Sequence, residues 1–305
     1  MTTEINNCRR VLSIQSHVVR GYVGNKSATF PLQVLGYEVD AINSVQFSNH
    51  TQYPHIGGQI LKCGELKELV NGLRNNGLLC KYSHLLTGYI GDPSFLQETA
   101  AVVKELKALN PHLVYVCDPV MGDHGRFYTS ETLLPVYRDE VLPVADIVVP
   151  NQFEIECLTG KKIASVCDAV NAMKVVHDKG PHTVIITSTE LGDTDNLLMI
   201  ASHRKGDGSF VRFQQKIPVQ DAVFVGTGDL FASLLLAWSE KADIKEACSK
   251  VISTMQHVLT RTLKAAKELA GEGNKPNCMQ LELQLIQSIR DIETPTTPVP
   301  SAEDI

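Results

Sequence analysis

The stretch 223–238, VFVGTGDLFASLLLAW, carries the residues best suited to chemistry: two glycines and an aspartate set between an apolar run and a helical pattern. Phe231, Leu234, Leu235 and Trp238 fall at i, i+3, i+4 and i+7, so the spacing predicts a helix that starts at or near Asp229 with one apolar stripe. The first N–H groups of a helix have no helical partners and carry partial positive charge. Gly226 and Gly228, either side of Thr227, would let an anion reach them without interference from a Cβ. Asp229 adds a carboxylate that can take the proton of an alcohol attacking a phosphoryl group. The same residues also have a purely structural use, in which Thr227 or Asp229 caps the helix and the glycines form its turn.

Further oxygen-bearing side chains stand at the ends of apolar runs. Ser16 ends VLSIQS, Asp118 and Asp123 lie in VCDPVMGD, Asn151 and Glu154 in PNQFE, and Thr187 and Ser188 close HTVIITS. If these runs are parallel strands, the side chains gather at one sheet edge, where open α/β sheets bind ligands. Hard oxygen donors suit Mg²⁺, which uses one or two carboxylates together with phosphate oxygens and water. Taken singly, each has a structural use as well: Ser16 and Asp118 as turn residues, Asn151 with Glu154 as the opening of a helix. His50 alone reads as a surface or structural histidine, and Tyr89 as a packing residue.

The elements that must position these groups alternate between strand and helix. Short β-rich runs cover 11–16, 39–47, 84–90, 113–120, 146–149 and 184–187. Residues 93–109 between two of them carry Val102, Leu106 and Leu109 at i, i+4 and i+7 behind Pro93, the pattern of a crossover helix. This alternation predicts an α/β fold with a doubly wound, mostly parallel sheet flanked by helices. Runs 197–202 and 210–217, separated by a polar turn, predict a small antiparallel edge or flap. A helix is expected over about 243–269, ending at Gly271. Residues 279–292 fit either period and are read as the start of a strand. The three prolines and sparse apolar content of 293–305 predict a loose tail after one domain over 1–292.

Composition narrows the function class. Hydrophobic residues make up 43% and charged residues 20%, which fits a folded globular chain. The formal charge of -6, without a basic stripe, argues against nucleic acid as a partner. No apolar run reaches the roughly 18 residues of a membrane span. The start lacks the pattern of a signal peptide. Eight scattered cysteines make neither a zinc spacing nor a disulfide framework. A cytoplasmic protein is expected.

The helix-opening GTGD resembles the anion-hole motif of ribokinase-like kinases. RVLSIQSHVVRGYVGNKSATFPLQVLGYEVDAINSVQFSNHT over 10–51 is similar to the N-terminal block of the pyridoxal kinase family within that superfamily. LTGYIGD, YVCDPVMGD, PNQFE and DAVFVGTGDLFA resemble its later blocks in order, so the likeness runs from Arg10 to Ile292. The resemblance implies transfer of the ATP γ-phosphoryl group to the 5′-hydroxymethyl of pyridoxal, and of pyridoxine and pyridoxamine. It implies Asp229 as base, with Gly226, Thr227 and Gly228 stabilising the moving phosphoryl group. Ser16, Val23, Val45, His50, Thr51, Tyr89 and Asp229 would surround pyridoxal. Asp118, Tyr128, Asn151, Glu154, Thr187, Ser188, Val225 and the 226–228 turn would bind ATP. Asp118, Asp123, Glu154 and Thr187 would serve the metal. Mg²⁺, or Zn²⁺ in its place, would accompany ATP, with K⁺ or Na⁺ as a monovalent cation, and the assembly would be a homodimer. A hydroxymethylpyrimidine kinase of the same superfamily is the nearest alternative. A non-catalytic vitamin- or nucleotide-binding protein is a further one, against which the intact GTGD and the acidic residues argue.

Two departures from the family pattern stand out. The segment 121–128, MGDHGRFY, is short for a flexible cover, and Val149 precedes PNQFE where a threonine is expected. Valine cannot lend a side-chain oxygen to a monovalent cation. Val149→Thr is therefore expected to strengthen activation by K⁺, read by titrating K⁺ against the rate of phosphoryl transfer in both proteins. Superimposable curves would count against that assignment.

Overall fold

The computed structural model describes residues 9–296 and 300–305. Along the chain the strands are β1 (Arg10–Val18), β2 (Glu38–Phe47), β3 (Gly58–Ile60), β4 (His84–Thr87), β5 (Val114–Cys117), β6 (Gly122–Asp123), β7 (Arg126–Phe127), β8 (Ile147–Val148), β9 (Thr183–Asp193), β10 (Asn196–Arg204), β11 (Phe210–Pro218) and β12 (Glu303–Asp304). The helices are α1 (Asn25–Val34), α2 (Cys63–Asn75), α3 (Pro93–Leu109), α4 (Leu133–Val136), α5 (Gln152–Thr159), α6 (Val166–His177), α7 (Thr227–Ser239), α8 (Ile244–Ala270) and α9 (Ile289–Glu293). Ten strands form one sheet in the order β12-β11-β10-β9-β8-β5-β4-β1-β2-β3, and β6 pairs with β7 in a separate hairpin.

The pairs from β2 through β1, β4, β5 and β8 to β9 are parallel. Antiparallel strands finish both edges: β3 at one, and β10, β11 and β12 at the other. This is the expected doubly wound sheet with its antiparallel flap. Successive strand side chains point to opposite faces, so Leu12 and Ile14 enter one core while Val11 enters the other. Leu85 and Leu86 divide in the same way. Both faces are thus covered by helices, which is why these strands read as continuous apolar runs. In α3, Asp92 accepts the Phe95 N–H at 2.9 Å and Pro93 occupies the first turn. Val102 and Leu106 are buried as expected, whereas Leu109 in the last turn is exposed.

The chain leaves β1 for β2 and β3, then returns to β4 on the other side of β1. The strand order therefore reverses between β1 and β4, and the carboxyl ends there open a crevice. Among the described residues, no helix is long and apolar enough to cross a membrane. Cys8 lies outside the described residues, and the cysteines within them are free.

Two expectations need correction. Residues 279–292 do not begin a strand: turns lead into a short 3₁₀ segment and then α9. Leu283, Leu285 and Ile292 are buried in the cluster that also holds α7 and α8 side chains. The backbone is satisfied by α8 side chains, with the Gln284 N–H on Thr262 Oγ1 at 3.0 Å and Thr254 Oγ1 donating to the Asp291 carbonyl at 3.0 Å. The alternating leucines face a helical layer, so their period of two is not a strand signal here. The tail also departs from a wholly loose segment. Residues 297–299 lie outside the described residues, but Glu303 and Asp304 pair with Gln214 and Phe213 at the open edge of β11. Lys245 Nζ reaches Asp304 Oδ1 at 2.7 Å, and Gln215 Nε2 donates to the Pro300 carbonyl at 3.0 Å. Both strand residues are exposed and acidic, a composition that discourages further edge pairing.

Exposed ion pairs and a two-residue edge strand contribute little. Removing 295–305 is expected to change unfolding stability by less than about 1 kcal/mol in a urea titration. A larger loss would mean that this edge strand anchors the sheet.

Candidate active site

The GTGD turn stands where the crevice opens. Gly226 is the N-cap of α7 in the left-handed region, with φ 84°, and a Cβ there would lie 2.0 Å from the Tyr22 carbonyl oxygen. Only glycine fits both the conformation and the contact. The helix begins at Thr227, two residues earlier than the spacing suggested. Asp229 does not cap it. Its Oδ2 accepts the Gly24 N–H at 2.7 Å, across 205 residues of sequence. Its Oδ1 faces Gly88, lying 3.4 Å from where a Cβ would stand at that residue. Burial raises the Asp229 pKa, and the Gly24 N–H opposes that rise.

Gly24 is held as tightly on its other side. Its φ is 55°, and a Cβ would meet the Ser16 carbonyl oxygen at 2.0 Å and Ser16 Oγ at 2.4 Å. Ser16, Gly24 and Asp229 therefore form one contact chain from the end of β1 to the start of α7. Val23 and Val45 are buried beside it, and Ser44 Oγ donates to the Tyr89 carbonyl at 2.7 Å. Tyr89 is half-buried, which pushes its phenol pKa up. His50 is 5% exposed, whereas its neighbour Thr51 is exposed in a turn. His50 Nδ1 accepts the Gln52 N–H at 3.3 Å, and Nε2 lies 3.4 Å from Glu282 Oε1. Glu282 was not singled out from the sequence; its only signal is a charge inside the apolar run 281–285.

On the other side of Asp229, two buried acids come together. Asp118 follows β5, and its Oδ2 lies 3.2 Å from the position a Cβ would take at Gly228. Glu154 and Asn151 form a reciprocal cap on α5, with Asn151 Oδ1 accepting the Glu154 N–H and Glu154 Oε2 accepting the Asn151 N–H, both at 2.9 Å. Burial raises the Asp118 pKa well above the carboxylate range, and the charges of Glu154 and Asp229 add to that. Burial likewise pushes Glu154 up to about 8, against the N–H groups of Asn151, Met121 and Gly122.

Asn151 and Glu154 also anchor the β6–β7 hairpin. Asn151 Nδ2 donates to the Gly122 carbonyl at 2.7 Å, and Glu154 Oε1 accepts the Met121 N–H at 3.0 Å. His124 and Gly125 at its tip have φ 46° and 75°, the two positive values of a tight two-residue hairpin turn. Phe127 packs edge-on against Phe153, with ring centroids 5.0 Å apart. Asp123 Oδ1 accepts the His124 N–H at 2.8 Å, and Tyr128 is 64% exposed. The short segment 121–128 is thus a built hairpin seated on α5.

Thr187 and Ser188 line a cavity of ≈ 260 Å³ together with Thr227, Gly228, Phe231 and apolar residues of the flap and α8. Thr187 Oγ1 donates to the Pro150 carbonyl at 3.4 Å. Val225 does not line this cavity, although its neighbour Phe224 does. Among the described residues, no cluster of three or more His, Cys, Asp or Glu is placed to hold a metal ion by itself. Asp118 and Glu154 nonetheless suit Mg²⁺, because they are hard donors crowded by negative charge that a cation would relieve. The arrangement offers an anion-binding helix start, a carboxylate with one oxygen engaged and one open, and an apolar cavity for a flat group.

Comparisons with known proteins point to one family. The phosphomethylpyrimidine kinase family model matches residues 84–275. The pyridoxal kinase of Bos taurus is 56% identical over 299 residues, covering 94% of this chain and 96% of that one. That of Homo sapiens is 55% identical over 299 residues, with the same coverage. Among solved structures, pyridoxal kinase from Leishmania donovani in complex with ADP and pyridoxamine superposes with a TM-score of 0.90 at 35% identity, covering 97% of this chain and 99% of that one. The family model begins at β4, whereas these full-length matches also take in the β1–β2 block that supplies Ser16, Gly24 and His50. This chain belongs to the pyridoxal kinase family.

Proposed function

We propose that this chain transfers the γ-phosphoryl group of ATP to the 5′-hydroxymethyl group of pyridoxal, and also accepts pyridoxine and pyridoxamine. The observation that carries this reading is the position of Asp229. Its Oδ2 is engaged by the Gly24 N–H of the β1–α1 loop, and its Oδ1 is directed toward Gly88 at the end of β4. A substrate hydroxyl on the β1–β4 side meets a phosphoryl group held at the start of α7. The hydroxyl oxygen attacks the γ-phosphorus, Asp229 Oδ1 takes the proton, and the bond to the β-phosphate oxygen breaks to release ADP.

The N–H groups at the start of α7, over 226–228, stabilise the charge that spreads over the moving phosphoryl group. Ser16, Val23, Val45, His50, Thr51 and Tyr89 hold the pyridine ring. The cavity lined by Thr187 and Ser188 takes the base and sugar of ATP, and Tyr128 with the hairpin covers the phosphates. Asp118 and Glu154, together with phosphate oxygens, would hold Mg²⁺ bound with ATP, or Zn²⁺ in its place, and the ion would neutralise phosphate charge. Asp123 lies at the same hairpin and assists through its charge, and Thr187 supplies a hydroxyl on the nucleotide side. A monovalent cation, K⁺ or Na⁺, would rest on backbone carbonyls near Val149, whose side chain is buried and apolar. A cytoplasmic homodimer fits this class of enzyme. The pyrimidine kinase reading draws on the family model alone, and that match omits the acceptor-side block.

Asp229→Asn separates the base from the structural tie, because Asn Oδ1 can still accept the Gly24 N–H. A positioned base contributes about 10²–10⁴-fold, and the loose transition state of phosphoryl transfer favours the lower part of that range. kcat for pyridoxal should fall accordingly, with ADP affinity within a few-fold and thermal stability not reduced, since a buried charge is removed. Retention of more than about a tenth of wild-type kcat would rule Asp229 out as the base.

A further inference from the structure

Glu282 does not line the nucleotide cavity, and its carboxylate meets both loops of the acceptor side. Oε1 accepts the Tyr53 hydroxyl at 2.9 Å and faces His50 Nε2 at 3.4 Å. Oε2 accepts the Tyr22 N–H at 3.2 Å. The side chain is 14% exposed and stands in a run pinned by buried Leu283 and Leu285. Gly21 makes room for it: a Cβ there would lie 2.2 Å from Glu282 Oε2, and its φ of 91° also disfavours any other residue. Burial opposes the charge of Glu282, but the hydrogen bonds from His50, Tyr53 and Tyr22 outweigh it and hold the carboxyl below the ordinary glutamate range.

We propose that Glu282 is a positioning residue for the phosphoryl acceptor, fixing the 20–24 and 50–53 loops from a single buried carboxylate; this rests on the reading of the site as a pyridoxal kinase. Tyr22 immediately precedes Val23 and Gly24, and the Gly24 N–H holds Asp229. His50 immediately precedes Thr51. With Nδ1 accepting the Gln52 N–H, His50 presents Nε2–H to Glu282, so one tautomer is selected and both ring nitrogens are engaged. His50 then packs against the acceptor with its ring and takes no part in proton transfer. Tyr53 stands edge-on to that ring, 4.8 Å between centroids, and shares the same carboxylate. Neither loop lines the nucleotide cavity, and both carry residues placed around the acceptor, so the larger effect of Glu282 falls on the acceptor.

The test is steady-state kinetics of the full chain with pyridoxal and ATP varied separately, together with melting temperatures. Glu282→Gln keeps the shape but turns one acceptor oxygen into an NH₂ that confronts a donor. The KM for pyridoxal should rise about tenfold or more, as expected for hydrogen bonds to a charged group, while the KM for ATP stays within about twofold. Tyr53→Phe should raise the pyridoxal KM by about two- to fivefold. Combining it with Glu282→Gln should add less than its separate effect, because both act on one carboxylate. If Glu282→Gln fails to fold, Tyr53→Phe alone decides. An unchanged pyridoxal KM, or parallel changes in both KM values with a lowered melting temperature, would overturn the proposal. A wild-type protein that makes no pyridoxal 5′-phosphate would instead overturn the functional reading, and this inference with it.

Discussion

The hydrogen bond from the Gly24 N–H to Asp229 Oδ2, 2.7 Å long, joins the loop after β1 to the GTGD turn at the start of α7. Everything else at the site is arranged so that this bond can form. Gly24 lacks the Cβ that would strike Ser16, Gly226 the one that would strike Tyr22, and Gly88 the one that would stand before Asp229 Oδ1. The bond also gives the two carboxylate oxygens different roles. One is engaged by a backbone donor, which fixes the side chain without a rotamer search. In the proposed reading the other is left to the chemistry, and burial, which raises the Asp229 pKa, would make it a better base than an exposed aspartate.

In the proposed reading, the sheet delivers the two substrates to opposite sides of that carboxylate. β1, β2 and β4 end on the acceptor side, whereas β5, β8 and β9 end near Asp118, Asn151 and Thr187. On the nucleotide side, burial and their nearness to each other disfavour charge on Asp118 and Glu154, a penalty that a bound cation would relieve. Glu154 and Asn151 also hold the β6–β7 hairpin through backbone groups. In the proposed reading, Glu154 would therefore couple cation binding to the hairpin over the phosphates. On the acceptor side, the proposed positioning role of Glu282 rests on a carboxylate whose oxygens are already hydrogen-bonded.

Much of this was legible in local patterns. The apolar runs gave the parallel strands because burial on both faces removes the alternation that would hide them. GTGD could be read as a helix start carrying a carboxylate, but not as a contact with Gly24, because nothing local marks a partner 205 residues away. PNQFE carried two readings, a capping pair and a site pair; the structure shows the cap, and the remaining polar atoms of the same two side chains hold the hairpin. The run 279–292 misled because leucines alternating against a helical layer have the period of a strand. Glu282 escaped notice for the same reason: its value depends on where its leucine neighbours are buried. Glu303 and Asp304 pair at an edge whose availability only the assembled sheet reveals.

The division of labour between the two Asp229 oxygens can be observed directly in a crystal structure of this chain with pyridoxal and a non-transferable ATP analogue. The geometry predicts the 5′-hydroxyl within hydrogen-bond reach of Oδ1, about 2.6–3.2 Å, the γ-phosphate against the start of α7, and the Gly24 N–H still on Oδ2. A hydroxyl bound away from Asp229, or a Gly24 N–H displaced from Oδ2 when the substrates bind, would contradict it.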